Sequence, residues 1–450
     1  MPKSTKSFAD ESELARLQQI TADVIDEAKR QGANEVEAGL SVGQGLSVNA
    51  RLGEVETIEH HRDQGLGVTI YIDHKKGSAS STDLSANSIK ETVSAACAIA
   101  RHAEKDSYSG LPEKSLLATE FQDLSLYHPW DISADKAIEM AIECEDAARS
   151  YHTEITNSEG ASIQTFEGVR VLANSHGFNH GYPASRHSLS CSVIAERSGH
   201  MQRDYWYSVA RHAKELEAAI DVGKKAAERT RKRLGARSVP TQKCPVMFAA
   251  EVAGGFIGHF ISAISGGSLY RKSTFLLDSL GKQVFPDFIH INEQPHLLKG
   301  LGSAVYDAEG VATATRDIVS GGVLEGYVLS SYSARKLALQ TTANAGGVHN
   351  LVVESGLLGF NELLTEMGTG FLVTELMGQG VNTLTGDYSR GAAGFWVENG
   401  SIQYAVEEVT IAGNLEQMFQ SIVAVGSDID LRGNIKTGSI LLAEMTLAGQ

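Results

Sequence analysis

The chain has 450 residues, 42% hydrophobic and 21% charged, with 45 glycines and a formal charge of −16. At a prior of about 150 residues per domain, that length predicts two or three domains with a large core, and the composition excludes wholesale disorder. The acidic balance argues against nucleic-acid or anionic-membrane binding, which rests on basic surface, and leaves small molecules and peptides open.

The opening stretch, MPKSTKSFADESELARL, has no apolar core of signal-peptide length, and no run of about 18 apolar residues occurs, so a cytoplasmic location is expected. Leu14, Leu17, Ile20, Val24 and Ile25 recur at helical spacing, with Asp10 as cap and Gly32 as stop. Similar amphipathic patterns predict helices over 85–105, 133–151 and 213–234. Between them lie the strand-like runs GLSVNARL, GLGVTIYI, GVRVLAN and SLSCSVIAE.

GLSVNARLG (45–53) echoes GVRVLANSHG (168–177), and the same offset sets Leu66, Val68 and Ile70 against Leu189, Cys191 and Val193. A duplicated strand-and-helix unit is the expectation. Cys97, Cys144, Cys191 and Cys244 are widely spaced, which suits buried reduced thiols rather than a disulfide framework or a zinc ribbon. The basic cluster KKAAERTRKRLGAR (Lys224 to Arg237) reads as a solvated helix end whose cations complement the helix dipole.

The run GARSVPTQKCPVMFA marks a connection, placing a domain boundary near residue 238, with an α+β domain over 1–237 and a β-rich domain over 238–450. After a helix around His259, hairpins are predicted at Gly321-Gly322 and Asn399-Gly400, interrupted by short helices at SARKLALQ, NELLTEM and NLEQMFQSI. The overall expectation is an α+β chain whose second domain is a closed or strongly bent sheet.

Several stretches resemble chemical motifs. His259 lies in EVAGGFIGHFISAISGG, but a thermolysin-like site needs H-E-x-x-H, and Phe260 and Ala263 follow instead, so a packed histidine is expected. His176, His180, His187 and Cys191 form the densest set of soft ligands; Gly177, Gly181 and Pro183 favour a structural loop, while a metal on these four residues is the rival reading. GGSLYRKS (266–273) imitates a phosphate loop but carries Arg271 where glycine is needed, which leaves the Arg271-Lys272 pair free to meet a carboxylate or peptide. Ser333-x-x-Lys336 and Lys436-Thr437-Gly438 match two of three acyl-transferase elements, without the S-D-N between them. In GDYSRGAAGFWVENG (386–400), Asp387, Tyr388, Ser389 and Arg390 between glycines suit either a polar bend or peptide recognition beside flexible backbone.

YRKSTFLLDSLGKQVFPDF, PHLLKGLGSA, SSYSARKLAL and the block 366–415, together with RLGEVETIEHHRDQGLGVTIY and KGSASSTDLS, closely resemble the bacterial TldD/PmbA family, whose older label is modulator of DNA gyrase. The resemblance implies a cytoplasmic subunit that works with a TldD-type partner in a metalloprotease acting on unfolded peptides, with peptide-antibiotic precursor processing and antitoxin degradation as family roles. TldD-type subunits carry H-E-x-x-x-H and a late cysteine. Aligned on His259, this chain has Phe260 and Ile264 at the glutamate and second-histidine positions, and no cysteine follows Cys244. The resemblance therefore implies a degenerate metal helix at His259, no zinc or catalytic residue in this chain, and zinc in the partner. Arg271, Lys272, Asp387, Tyr388 and Arg390 are the candidate substrate contacts, and self-pairing of isolated chains is the alternative assembly. The rival functions are a peptide-binding protein without catalysis and an independent metalloprotease using His176, His180, His187 and Cys191.

Overall fold

The computed structural model describes Phe8 and residues 11–449, so the expected cap Asp10 lies outside the described residues. In chain order the first part contains α1 (Glu11–Arg30), β1 (Glu35–Arg51), β2 (Glu54–Ile72), β3 (Lys75–Ser81), α2 (Ala86–His102), α3 (Ala134–Arg149), β4 (Ile155–Asn174), β5 (Asn179–Arg197), β6 (His200–Ala210) and α4 (Ala219–Lys232). The order helix, three strands, helix occurs twice. Six strands form one sheet, β3-β2-β1-β4-β5-β6, curled into a half-barrel and symmetric about the β1–β4 pair.

The predicted duplication is visible in the hairpin register. β1 and β2 pair Leu40 with Leu66 and Ala38 with Val68. At the offset that the sequence echo sets, β4 and β5 pair Ile163 with Leu189 and Ala161 with Cys191. Both hairpins thus turn the same alternate side chains to the helices. One cluster packs Leu40, Val68 and Ile70 beneath α1 and α2, and the other packs Ile163, Leu189 and Val193 beneath α3 and α4.

The strands run well beyond their apolar patterns because the other face of the sheet carries glycine, serine and charge. Gly39, Gly65 and Gly67 line a broad groove on that bare face, of ≈ 970 Å³. The helix expected over 213–234 is shorter. Residues 213–215 make one 3-10 turn, and Glu217 is held outside the helix, its N–H donating to Ser208 Oγ at 3.0 Å and its carboxylate accepting from Trp206 Nε1 at 3.1 Å.

The second part contains β7 (Gln242–Phe248), α5 (Ala250–Ala263), α6 (Gly266–Tyr270), β8 (Ile291–Glu293), β9 (Arg316–Ser320), β10 (Val323–Leu324), α7 (Ser331–Leu337), β11 (Leu351–Val353), α8 (Phe360–Met367), β12 (Gly370–Met377), β13 (Asp387–Glu398), β14 (Ser401–Asn414), α9 (Leu415–Gln420), β15 (Ile422–Val425), β16 (Ile435–Lys436) and β17 (Ile440–Ala448). Strands β14-β13-β12-β7-β17 follow one another, and β17 pairs back to β14, which closes a five-stranded barrel and leaves that ring no free edge. Both predicted hairpins form. Asn399 and Gly400 have φ of 52° and 72°, and Gly321 and Gly322 have 54° and 75°, the backbone of a type I′ turn.

Candidate functional site

Helix α5 follows β7 directly. The N–H of Ala250, an orphan donor of the first turn, donates to Ser439 Oγ at 3.1 Å. Ala253, Phe256, Ile257, Phe260 and Ala263 recur at helical spacing and are buried, with Phe256 stacked on Phe248 at 5.2 Å. The adjoining face carries Val252, Gly255 and His259. His259 Nε2 is buried and has no hydrogen-bond partner. Burial, and then the charge of Arg390, hold its imidazole below the ordinary value, which favours the neutral form.

The segment 386–400 is no flexible bend. Asp387 opens β13, a barrel strand bonded on both sides, because alternate residues fit the core while β12 and β14 satisfy its backbone. That alternation splits the candidate residues. Asp387 and Ser389 face solvent, whereas Tyr388 and Arg390 turn toward α5. Tyr388 is 2% exposed, and its phenol stands edge-on to His259 with ring centroids 5.8 Å apart. Its hydroxyl and the Nε of Arg390 are both buried without a hydrogen-bond partner. Burial pushes the phenol up to about 12, with the nearby guanidinium of Arg390 acting in the opposite direction.

Arg390 also lines a cavity of ≈ 340 Å³ where β6 and α4 meet the barrel, together with Trp206, Arg229, Arg233, Glu251 and Gly255. Here the reading of the basic cluster as a solvated helix end holds for Lys224, Arg231 and Lys232, which are exposed, but not for Arg229 and Arg233. Arg229 bonds Glu251 at 2.7 Å, and Arg233 pairs with Glu375 of β12. Lys225 and Arg432 lie over the Trp206 ring, each 3.8 Å from its centroid. These residues tie the half-barrel to the barrel. Sequence reasoning missed Trp206, Glu251 and Arg432 because their partners come from distant elements. The only local signal was the density of arginines in α4.

The other candidates do not join this cluster. Arg271 caps α6 and donates to the neighbouring Tyr270 hydroxyl at 3.0 Å. Lys272 is exposed with φ of 55°, and Asp387 accepts from Thr385 Oγ1 at 2.6 Å.

The rival metal set is corrected by its placement. His176 occupies the β4–β5 turn, with Nδ1 bonded to Pro112 O at 2.9 Å and Nε2 3.3 Å from Glu35. His180 stacks on Phe121 at 3.5 Å. His187 is buried, with its two nitrogens 2.8 Å from Thr165 Oγ1 and from His128 O. Cys191 is buried beneath α3 and α4. From His180 to Cys191 the extended strand spans roughly 35 Å, so these side chains cannot share one ion. Pro183 is tolerated within β5 because β6 pairs only from His187 onward. The expected degenerate helix is a poor metal site by the same test, since Phe260 packs edge-on to Phe285 at 4.9 Å and Ile264 is fully buried. Among the described residues no group of three or more His, Cys, Asp or Glu is placed to hold a metal ion.

Near the bare sheet face a second cavity of ≈ 520 Å³ runs beneath the loops around Asp307 and His349. Burial, then the charge of Glu309, raises Glu37 to about 7, and burial raises Asp307 to about 6. Neither carboxyl stands out in the sequence, because the burial that shifts them comes from the loops of the second part lying against the half-barrel.

Three family descriptions match: PmbA/TldA metallopeptidase domain 1 over 36–100, the central domain over 127–234 and the C-terminal domain over 241–449. The chain is 54% identical to Metalloprotease PmbA of Escherichia coli O157:H7, covering 96% of this chain and 95% of that protein. It is 49% identical to the Metalloprotease PmbA homolog of Haemophilus influenzae, covering 96% of each. Among solved structures, a Bacteroides thetaiotaomicron protein described as a candidate modulator of DNA gyrase superposes with a TM-score of 0.92 at 26% identity, over 98% of this chain and 99% of that one. TldE from Thermococcus kodakarensis reaches 0.83 over 96% of this chain and 100% of that one, and at 18% identity speaks for the fold alone. Among the described residues no helix is long and apolar enough to cross a membrane. This chain belongs to the PmbA/TldD metalloprotease family.

Proposed function

We propose that the chain is the zinc-free subunit of a TldD/PmbA-type metalloprotease, active on unfolded peptides only with a zinc-bearing TldD-type partner whose substrate chamber it completes. The observation that carries this reading is α5. Beside His259, the positions that would need a general base and a second imidazole are Phe260 and Ile264, both inside the core. One imidazole holds zinc poorly, and no neighbouring carboxylate remains to activate a bound water. What this chain contributes is surface. The glycine-lined groove of the half-barrel lets an extended peptide backbone approach closely, and the Arg390 cavity offers a separate polar recess where β6 meets the barrel. Cytoplasmic location, precursor processing and antitoxin degradation belong to the same proposal.

The test is to purify the chain alone, measure its zinc and its cleavage of an unfolded peptide, and then add a TldD-type subunit. Substoichiometric zinc and cleavage that appears only with the partner are expected. Stoichiometric zinc with full activity in the lone chain would overturn the proposal, and peptide binding that no TldD-type subunit converts into cleavage would favour the purely binding role.

A further inference from the structure

The arginines around the α4–β6–barrel cavity are matched with one exception. Arg229 has Glu251 and Asp204, Arg233 has Glu375 and Asp204, and Arg432 has Asp430 at 2.8 Å. Arg390 makes no ion pair. Its Nε is buried with no hydrogen bond, while its side chain forms part of the cavity wall. Two further polar atoms lie beside it in the same condition. Tyr388 is two residues back on the same face of β13, and His259 is one turn along α5 from Gly255, which also lines the cavity. Buried polar groups without a well-formed hydrogen bond run against the rule that such groups are satisfied, and each costs folding free energy unless something else bonds it; here the phenol has only the neighbouring Arg390 guanidinium to meet.

We infer that Arg390 is the centre of a carboxylate-binding site, in which a peptide carboxylate entering the cavity takes the Arg390 guanidinium as its ion partner, while Tyr388 and His259, packed behind it and not part of the cavity wall, position that guanidinium. A guanidinium fork matches a carboxylate in shape, and Arg390 is the arginine of this cavity that can take one without giving up an existing ion partner. A phosphate dianion would bring a second negative charge against Asp204, Glu251 and Glu375 of the same wall. The volume of ≈ 340 Å³ is at the small end for ligand pockets, enough for the end of a chain or one acidic side chain but not for a folded protein. The cavity wall is open beside Gly255, where a Cβ would meet nothing within 4 Å.

The inference rests on the peptide-handling reading above, and its experiment separates the two. Binding to the full chain is measured by calorimetry for N-acetyl-alanyl-alanine and its C-terminal amide. It is then measured by fluorescence anisotropy for a labelled unfolded peptide in three forms: free carboxyl terminus, amidated terminus, and amidated with one internal aspartate. The acid of the small pair should bind about 10- to 100-fold more tightly than the amide, the range for a hydrogen bond to a charged group. Arg390→Gln should abolish that preference, Tyr388→Phe should reduce it several-fold, and Arg390→Lys should keep part of it. Because the lysine variant preserves the charge, loss of preference in the glutamine variant alone cannot be assigned to misfolding. A preference restricted to the free terminus assigns the site to chain ends, and one shared by the internal aspartate assigns it to acidic side chains. Equal binding of acid and amide by the wild-type chain would overturn the inference while leaving the peptide reading intact if the labelled peptides still bind. Discrimination within the small pair without any binding of labelled peptides would keep the carboxylate site and overturn the peptide reading.

Discussion

His259 on α5 and Tyr388 on β13 meet edge to face, with ring planes 76° apart and centroids at 5.8 Å, and neither Nε2 nor the phenol oxygen has a hydrogen-bond partner. The pair joins the helix that opens the second part of the chain to the strand richest in candidate residues. Its electrostatics are testable. The His259 imidazole is held below its ordinary value of 6.5, first by burial and then by Arg390. A depressed histidine contributes stability that is present above 6.5 and is lost as pH falls through its folded value. Histidine-resolved NMR titration should show His259 neutral at pH 7, and Arg390→Gln should move its midpoint upward. A midpoint unmoved by that substitution would contradict the assigned contact.

Glu37 titrates with the opposite sign. Its folded value is raised from 4.5 to about 7, so stability falls as pH rises from 4.5 through 7, where the unfolded chain ionises and the folded carboxyl resists. Glu37→Gln should therefore stabilise the protein at pH 8 by about 1–2 kcal/mol, after discounting for partial exposure, and should have little effect near pH 4.5. Thermal unfolding at the two values decides it, and an equal effect at both would refute the shift.

Phe260→Glu, which rebuilds one element of the zinc motif, should not create a metal site. The Phe260 ring is fully buried between Phe285 and Phe419. Losing it costs about 3–5 kcal/mol before the buried charge is counted. Denaturant melts should show the loss and metal analysis no gain in zinc.

Glu293 is a buried carboxylate of the second part with three hydrogen-bond donors. It takes Arg316 Nε at 2.9 Å, Asn344 Nδ2 at 2.7 Å and the N–H of His349 at 2.8 Å. Glu293→Ala leaves the guanidinium uncompensated, and a loss of about 3–5 kcal/mol in urea unfolding is expected. A loss below 1 kcal/mol would mean that water readily replaces the carboxylate.

Gly255 is exposed within a helix and faces open space. Gly255→Ala should stabilise α5 by up to about 1 kcal/mol through helix propensity, read as a raised denaturation midpoint.

Much of the architecture is legible in the chain itself. Periodicity locates α1, α2 and α3, Asn399-Gly400 and Gly321-Gly322 locate their hairpins, and the echo between 45–53 and 168–177 carries the offset that recurs in the register of both long hairpins. These features are local or repeat-encoded, because turn geometry and side-chain alternation depend on near neighbours. The lengths of β1 and β4 were hidden, since their glycine and polar residues on the bare face break the apolar rhythm. The candidate site was only half legible. Residue type pointed to His259, Tyr388 and Arg390 separately, and alternation along β13 settles which of its residues turn inward. What brings the three together is closure of the barrel against α5, a long-range packing event that no spacing encodes. The same closure, with the docking of the half-barrel, decided that Arg229 and Arg233 are paired while Arg390 is not, because the sign and number of charges reside in the sequence, whereas partnership and burial exist only once distant surfaces share a dry interface.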